Sequence, residues 1–224
     1  KIESKALVKK LINDYNSTNS FDVGEIKQAV EKIIDELLEN RNILVNLSDI
    51  RSVDDYTFEH SVNVCILSLV TGIEHGFDRP MLRDLGVGAV LHDIGKLKIP
   101  ESILKKPSHL TVEEFEEIKK HTVYGFEILK NNKDVNEVSA NIAFSHHERI
   151  DGSGYPLHLK DDNIHHCAKI VAVADVFDAL ISDRVYRERF KPHEVLEYLF
   201  SIGQNLFDGK VLNCFEKYIA PYPI

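Results

Sequence analysis

Cysteine is scarce in the 224-residue sequence: Cys65, Cys167 and Cys214 are an odd number at wide spacing. That excludes a disulfide framework and a cysteine-based zinc ribbon, and a reducing cytoplasm is the expected compartment. Long apolar runs are lacking too. The most apolar stretch, Val62 to Ile73, is interrupted by Asn63, Ser68 and Thr71 and is too short to cross a bilayer. Positive charge is in deficit, with 27 Lys and Arg against 36 Asp and Glu and a net charge of −9. A broad nucleic-acid groove or an anionic-membrane surface needs a positive field, so neither DNA nor RNA is an expected partner. A small phosphate pocket built from a few Arg and Lys survives this argument. The first residue is Lys1 rather than Met. A piece of a longer protein is expected, which leaves room for an upstream sensor domain or membrane anchor.

Apolar content of 43% is ample for one substantial core. The period of the apolar residues is helical nearly throughout. Val23, Ile26, Val30, Ile33, Leu37 and Leu38 share a face, with Asp22 before them and Glu25 in the first turn. Val62, Ile66, Leu69, Val70 and Ile73 predict a central helix that stops at Gly76. Pro80 opens a helix running to His92-Asp93, and Thr111-Val-Glu-Glu114 is a capping box leading toward His121. Asp134 is the expected cap of a helix through Val135, Val138 and Ile142, ending at His146-His147. Further helices are expected over Ile170 to Leu180, Pro192 to Ile202 and Asp208 to Ile219.

No useful alternating pattern appears. The expected class is all-α, with structured loops at Gly95 to Pro107 and Asp151 to Pro156. Residues 1–45 read as N-terminal helices and 46–224 as the main domain. The first helix has two readings. It covers its own core, or it is a dimerising coiled-coil connector resumed by Leu44 and Leu47.

Eleven histidines are the notable excess. His60 sits within the near-apolar central helix. His92 and Asp93 follow Ala89-Val90-Leu91, His121 follows Ile118, and His146 and His147 follow Ile142. Asp175 interrupts an apolar run. One buried histidine has an ordinary explanation as a hydrogen-bonded core group, and a buried carboxylate needs a cation or a full set of donors. Seven such residues from five helices are explained together by a bundle converging on metal. Imidazole and carboxylate without thiolate suit Fe, Mn, Ni, Co or Zn. Seven ligands exceed one ion's need, and two ions sharing a carboxylate are a common device for hydrolysing phosphate esters. His75, His109, His165, His166 and His193 are expected on the surface or in loops.

Leu91-His-Asp-Ile-Gly-Lys96, then His121, then His146-His-Glu-Arg-Ile-Asp-Gly-Ser-Gly-Tyr-Pro156, resemble the signature of the HD-GYP domain, a branch of the HD phosphohydrolase superfamily. The likeness extends through Asp55-Tyr-Thr-Phe-Glu-His-Ser61, Val173-Ala-Asp-Val-Phe-Asp-Ala-Leu180 and Ser182-Asp-Arg-Val-Tyr-Arg187. It implies an HD-type helical bundle with a structured Gly-Tyr-Pro loop. The superfamily quartet maps to His60, His92, Asp93 and Asp175, and the branch-specific ligands to His121, His146 and His147. Two divalent transition metals are implied, Fe or Mn favoured, with Asp93 as the bridge. A bridging hydroxide would attack phosphorus while Lys96 contacts the scissile phosphate and aids the leaving oxygen.

Gly154-Tyr155-Pro156 names the branch. Its turn suits glycine, Pro156 stiffens the exit, and Tyr155 offers a flat surface to a guanine base. Arg184 and Arg187 share a face suited to phosphate oxygens. Glu148, Asp151 and Asp178 read as supporting acids. The implied activity is hydrolysis of cyclic di-GMP to pGpG and/or GMP in the cytoplasm, with a diguanylate cyclase or an upstream sensor as open partners and a homodimer as an open state. Rival readings are a cyclic GMP-AMP phosphodiesterase and a non-catalytic cyclic di-GMP receptor. A degenerate receptor is expected to have lost ligands, and here all seven positions are filled. Some family members hold a third metal through a carboxylate one turn before the first His ligand. Tyr56 stands there, Asp55 and Glu59 lie off that face, and a binuclear site is expected. The sequence departs from the family at His158, at Lys169 where Arg is frequent, and at Asp208-Gly209. These departures put loop shape and substrate fit in doubt and leave the ligands intact.

Overall fold

The computed structural model describes residues 10, 14–15, 17–18, 20–39, 56–182, 190–201 and 203–219, with the side chains of 56–58 outside that description. The described residues are helical, without a strand; a lone bridge between Asp151 and Lys160 closes the Gly-Tyr-Pro loop. In chain order the helices are α1 (Gly24–Glu39), α2 (Tyr56–Glu74), α3 (Arg79–Leu91), α4 (Glu101–Leu104), α5 (Val112–Lys119), α6 (His121–Lys130), α7 (Glu137–Ser145), α8 (His166–Ile181), α9 (Pro192–Ser201) and α10 (Gly209–Ile219). A 3-10 turn, Ile94–Lys98, follows α3.

The caps follow from side-chain chemistry. Asp78 accepts from Met81 N and sets Pro80 in the first turn of α3. Thr111 and Glu114 form the reciprocal capping box of α5. The cap of α7 is a correction. Asn136, not Asp134, has the extended backbone and accepts from Val138 N at 2.9 Å. Residues 132–135 instead form a turn, with Val135 N donating to Asn132 O, so the helix begins later. One histidine departs from the surface-or-loop expectation: His166, half-buried, is the first residue of α8 and bonds His75 at 2.8 Å between Nε2 atoms, while His165, in the loop before it, caps α8 by accepting from Cys167 N.

Helix α2 is central, packed against α3, α8 and α10. Its neighbour α3 packs on α7, and α7 on α6. Ile26, Val30, Ile34 and Leu37 of α1 are buried in the same core, against α3. That is the own-core packing, while Leu44 and Leu47 lie outside the described residues. The 3-10 turn lies on α6 at Gly95, where a Cβ would overlap His121 O and Gly125 N. Only glycine permits this approach, which brings the end of α3 to the start of α6. The ends of α3 and α7, the start of α6, the second turn of α2 and the middle of α8 meet at one place.

Candidate metal centre

Helix ends supply most of the site. His92 follows the last residue of α3, and its Nδ1 donates to Ala89 O at 2.8 Å. His121 opens α6 and donates from Nδ1 to Ile118 O at 2.7 Å. His146 follows α7 and donates from Nδ1 to Ala143 O at 3.0 Å. A carbonyl oxygen only accepts, so each Nδ1 carries the proton and each Nε2 presents a lone pair inward. His60, on α2, is held by Asp178 of α8, which accepts from its Nδ1 at 2.8 Å.

These ring nitrogens converge. Asp93, His121, His146 and His147 each place a ligand atom within 4.8 Å of the others, and so do His60, His92 and Asp93. Asp93 belongs to both groups. Its Oδ2 lies 3.4 Å from His92 Nε2, and its Oδ1 lies 3.4 Å from His121 Nε2. Asp175 lies beside both, 3.1 Å from His60 Nε2 and 4.0 Å from His147 Nδ1. The side chains fit a cation. His92 Nε2 and Asp93 Oδ1 are buried without a hydrogen-bond partner. His121 Nε2 faces His146 Nε2 at 3.4 Å, although both rings carry their protons on Nδ1. Buried acceptors facing one another call for a shared cation.

Ionisation favours the same end. Burial pushes His121, His146 and His147 down, His147 to about 3, leaving neutral imidazoles ready to ligate. Burial works against the Asp93 and Asp175 anions, but positive neighbours outweigh it: the Lys96 ammonium at Asp93 and the protonated His60 at Asp175. Both carboxyls are held well below the usual range. His60 differs: burial opposes its charge, yet Asp175 and Asp178 raise it to about 10, so without an ion its Nε2 carries a proton that a metal would displace.

Of the remaining predicted residues, Lys96 and the Gly-Tyr-Pro loop sit around this cluster. Lys96, in the 3-10 turn, pairs its ammonium with Asp93. The Tyr155 ring lies 4.7 Å from the His147 ring, centroid to centroid, and 6.4 Å from that of His121. Gly154 is buried flat against the preceding strand of loop; a Cβ there would overlap backbone atoms of His147, Glu148 and Arg149. Pro156 is half-buried beside it. Arg184, Arg187 and the side chain of Tyr56 lie outside the described residues. Glu59 is buried but in neither ligand group.

Some contributors went unremarked or undervalued in the sequence. Glu148 is buried and accepts from Leu157 N and Leu159 N, tying the Gly-Tyr-Pro loop to the ligand segment. Arg149 donates to the carbonyls of His146 and Glu148. Asn63 donates to Asp178 at 2.9 Å. The available signal was spacing: Asp175 and Asp178, like His60 and Asn63, are one helical turn apart and so share a face.

The HD domain family model matches residues 33–211. A cyclic di-GMP phosphodiesterase of Pseudomonas aeruginosa is 33% identical over 221 residues, covering 99% of this chain and 53% of the relative. One of Thermotoga maritima is 41% identical over 184 residues, covering 82% of this chain and 50% of the relative. The chain thus spans about half the length of these curated relatives. In fold it is similar to Bd1817, an HDG"Y"P protein of Bdellovibrio bacteriovorus, with a TM-score of 0.78, 21% identity and coverage of 96% of this chain and 70% of the other. The convergent His and Asp side chains and the family model that matches most of the chain have one reading: the chain belongs to the HD domain family.

Proposed function

We propose that the chain is the catalytic portion of a phosphodiesterase that opens cyclic di-GMP to linear pGpG, and that it uses two divalent ions, Fe or Mn in preference to Ni, Co or Zn. The observation that carries this is Asp93. One buried carboxylate stands in two ligand groups, with its Oδ1 and the adjoining His92 Nε2 lacking partners. His60 and His92 would hold one ion, His121, His146 and His147 the other, with Asp93 shared and Asp175 beside both. Bound ions there supply Lewis-acid polarisation of a phosphoryl oxygen and activation of water.

The chain's own residues do the rest. The Nδ1 hydrogen bonds fix each imidazole, so the ligands need no reorganisation as charge develops. Lys96, poised at Asp93, supplies positive charge to the scissile phosphate and its leaving oxygen. Water oxygen bonds to phosphorus, the bond to the ribose 3′-oxygen breaks, and that oxygen leaves with a proton. Tyr155 offers its ring to a guanine. GMP follows where pGpG is cleaved again.

Metal-loaded protein should convert cyclic di-GMP to pGpG, lose that activity to a chelator and regain it with Mn or Fe. Tight binding of cyclic di-GMP by the loaded protein without turnover would overturn the enzymatic reading and leave a receptor. Turnover confined to cyclic GMP-AMP would overturn the substrate.

A further inference from the structure

We infer that Lys119, held between the rings of Phe115 and Tyr155, is the residue that makes this site prefer guanine to adenine. This rests on the cyclic-dinucleotide reading above. Phe115 and Lys119 are one turn apart on α5, and so share a face. Helix α5 ends at Lys119, and after Lys120 the ligand His121 opens α6, so this face adjoins the metal centre. Lys119 Nζ lies 4.9 Å from the Phe115 ring centroid and 5.5 Å from that of Tyr155. Tyr155 in turn rests on His147. The sequence His147, Tyr155, Lys119, Phe115 thus runs outward from the ligands as a ledge of rings carrying one ammonium. Phe115 is 45% exposed, an apolar ring left in solvent at the end of the ledge.

Such a ledge suits a base. Aromatic faces stack on any base, so Tyr155 and Phe115 confer affinity without choice. The ammonium confers choice, because it has three donors and no acceptor. Guanine presents two acceptors, O6 and N7, on one edge, whereas adenine presents N7 beside an N6 donor. An ammonium facing that edge therefore rewards guanine and meets a donor on adenine. Lys119 is currently paired with Glu116 at 2.6 Å, but Glu116 is 58% exposed. Lys119 itself is 26% exposed, but a pair whose acid is this open to solvent is weakly held, and the ammonium can exchange it for a base edge.

The test uses metal-loaded wild type, Lys119→Met and Lys119→Gln with cyclic di-GMP and cyclic di-AMP. Met keeps the stem that packs on the rings and removes the charge. The expected result is that Lys119→Met lowers the kcat/KM preference for cyclic di-GMP by about tenfold or more, chiefly through KM, with metal content intact. Lys119→Gln, whose amide both donates and accepts, should raise the relative use of cyclic di-AMP. An unchanged preference ratio overturns the inference, whether both substrates hold their rates or lose them together. A proportional loss would mean that Lys119 meets a phosphate or only positions His121. Equilibrium dialysis of both ligands separates this from the reaction itself. Wild type that binds without turnover overturns the proposed hydrolysis alone, and the ratio of dissociation constants then reads the ledge. Wild type that binds neither dinucleotide overturns both.

Discussion

His60 bridges two carboxylates of one helix: Nδ1 meets Asp178 at 2.8 Å and Nε2 meets Asp175 at 3.1 Å. The outer carboxylate is fully buried and also accepts from Asn63. Its partners leave it one function, to hold His60 so that Nε2 faces the centre. A carboxylate in that position also raises ligand basicity. Asp178→Asn keeps the shape and removes the charge. Metal affinity should fall by about 10- to 100-fold. Titration against a competing chelator reads this directly, and an unaltered affinity would reduce Asp178 to a packing group.

Lys96 is expected to act on the reaction rather than on the metals. Its ammonium pairs with Asp93 and is partly open to solvent, at 37% side-chain exposure. Lys96→Ala should keep both ions and slow turnover by about 100- to 1,000-fold, the scale of losing one transition-state electrostatic partner. Elemental analysis and single-turnover rates on the same preparation check it. Loss of metal along with rate would make Lys96 a keeper of Asp93.

Gly154 tests the coupling between loop and ligands. A methyl group there would overlap the backbone of the His147 to Arg149 segment, which cannot move without moving His147. Gly154→Ala should cost about 1–3 kcal/mol of stability, as overpacking commonly does. It should also weaken substrate binding through displaced Tyr155. Denaturant unfolding with a parallel binding titration measures both, and a variant with wild-type stability would show that the loop yields freely.

The metal-stripped protein should have a stability optimum set by its histidines. His60 binds its proton up to about 10 in the fold, against 6.5 ordinarily. Its stabilisation is complete below 6.5 and is lost as pH rises toward 10. His121, His146 and His147 are depressed from 6.5, so below that value the unfolded chain gains protons that the fold refuses. Stability from these three is lost as pH falls. Thermal unfolding without metal should peak near pH 6.5 and decline on both sides, and a melting temperature still climbing at about pH 8.5 would contradict this.

The helices were readable because burial imposes their period, as in α2 and α8, because Thr111 carries cap chemistry in the residue itself, and because Pro80 suits a first turn. The cap of α7 was not. Asp134 and Asn136 are both plausible caps by type, and the turn bonded through Asn132 decides between them. The gathering of His60, His92, Asp93, His121, His146 and His147 was readable from His and Asp at helix ends and from motif spacing. Their supports were not, because Asp178 meets His60, and Asn63 meets Asp178, only when α2 and α8 pack. The pairing of His75 with His166, and the ledge of Phe115, Lys119 and Tyr155, likewise exist only after elements distant in sequence come together.

Asp93, as a carboxylate shared by two ions, is the centre of the proposed site. A crystal structure of metal-loaded protein, read by anomalous scattering at the metal edge, measures this in one experiment. The expected result is two peaks per chain, both within coordinating distance of Asp93, and their joint loss or reduction to one in Asp93→Ala. A single ion away from Asp93, or a third held by protein side chains, would contradict it.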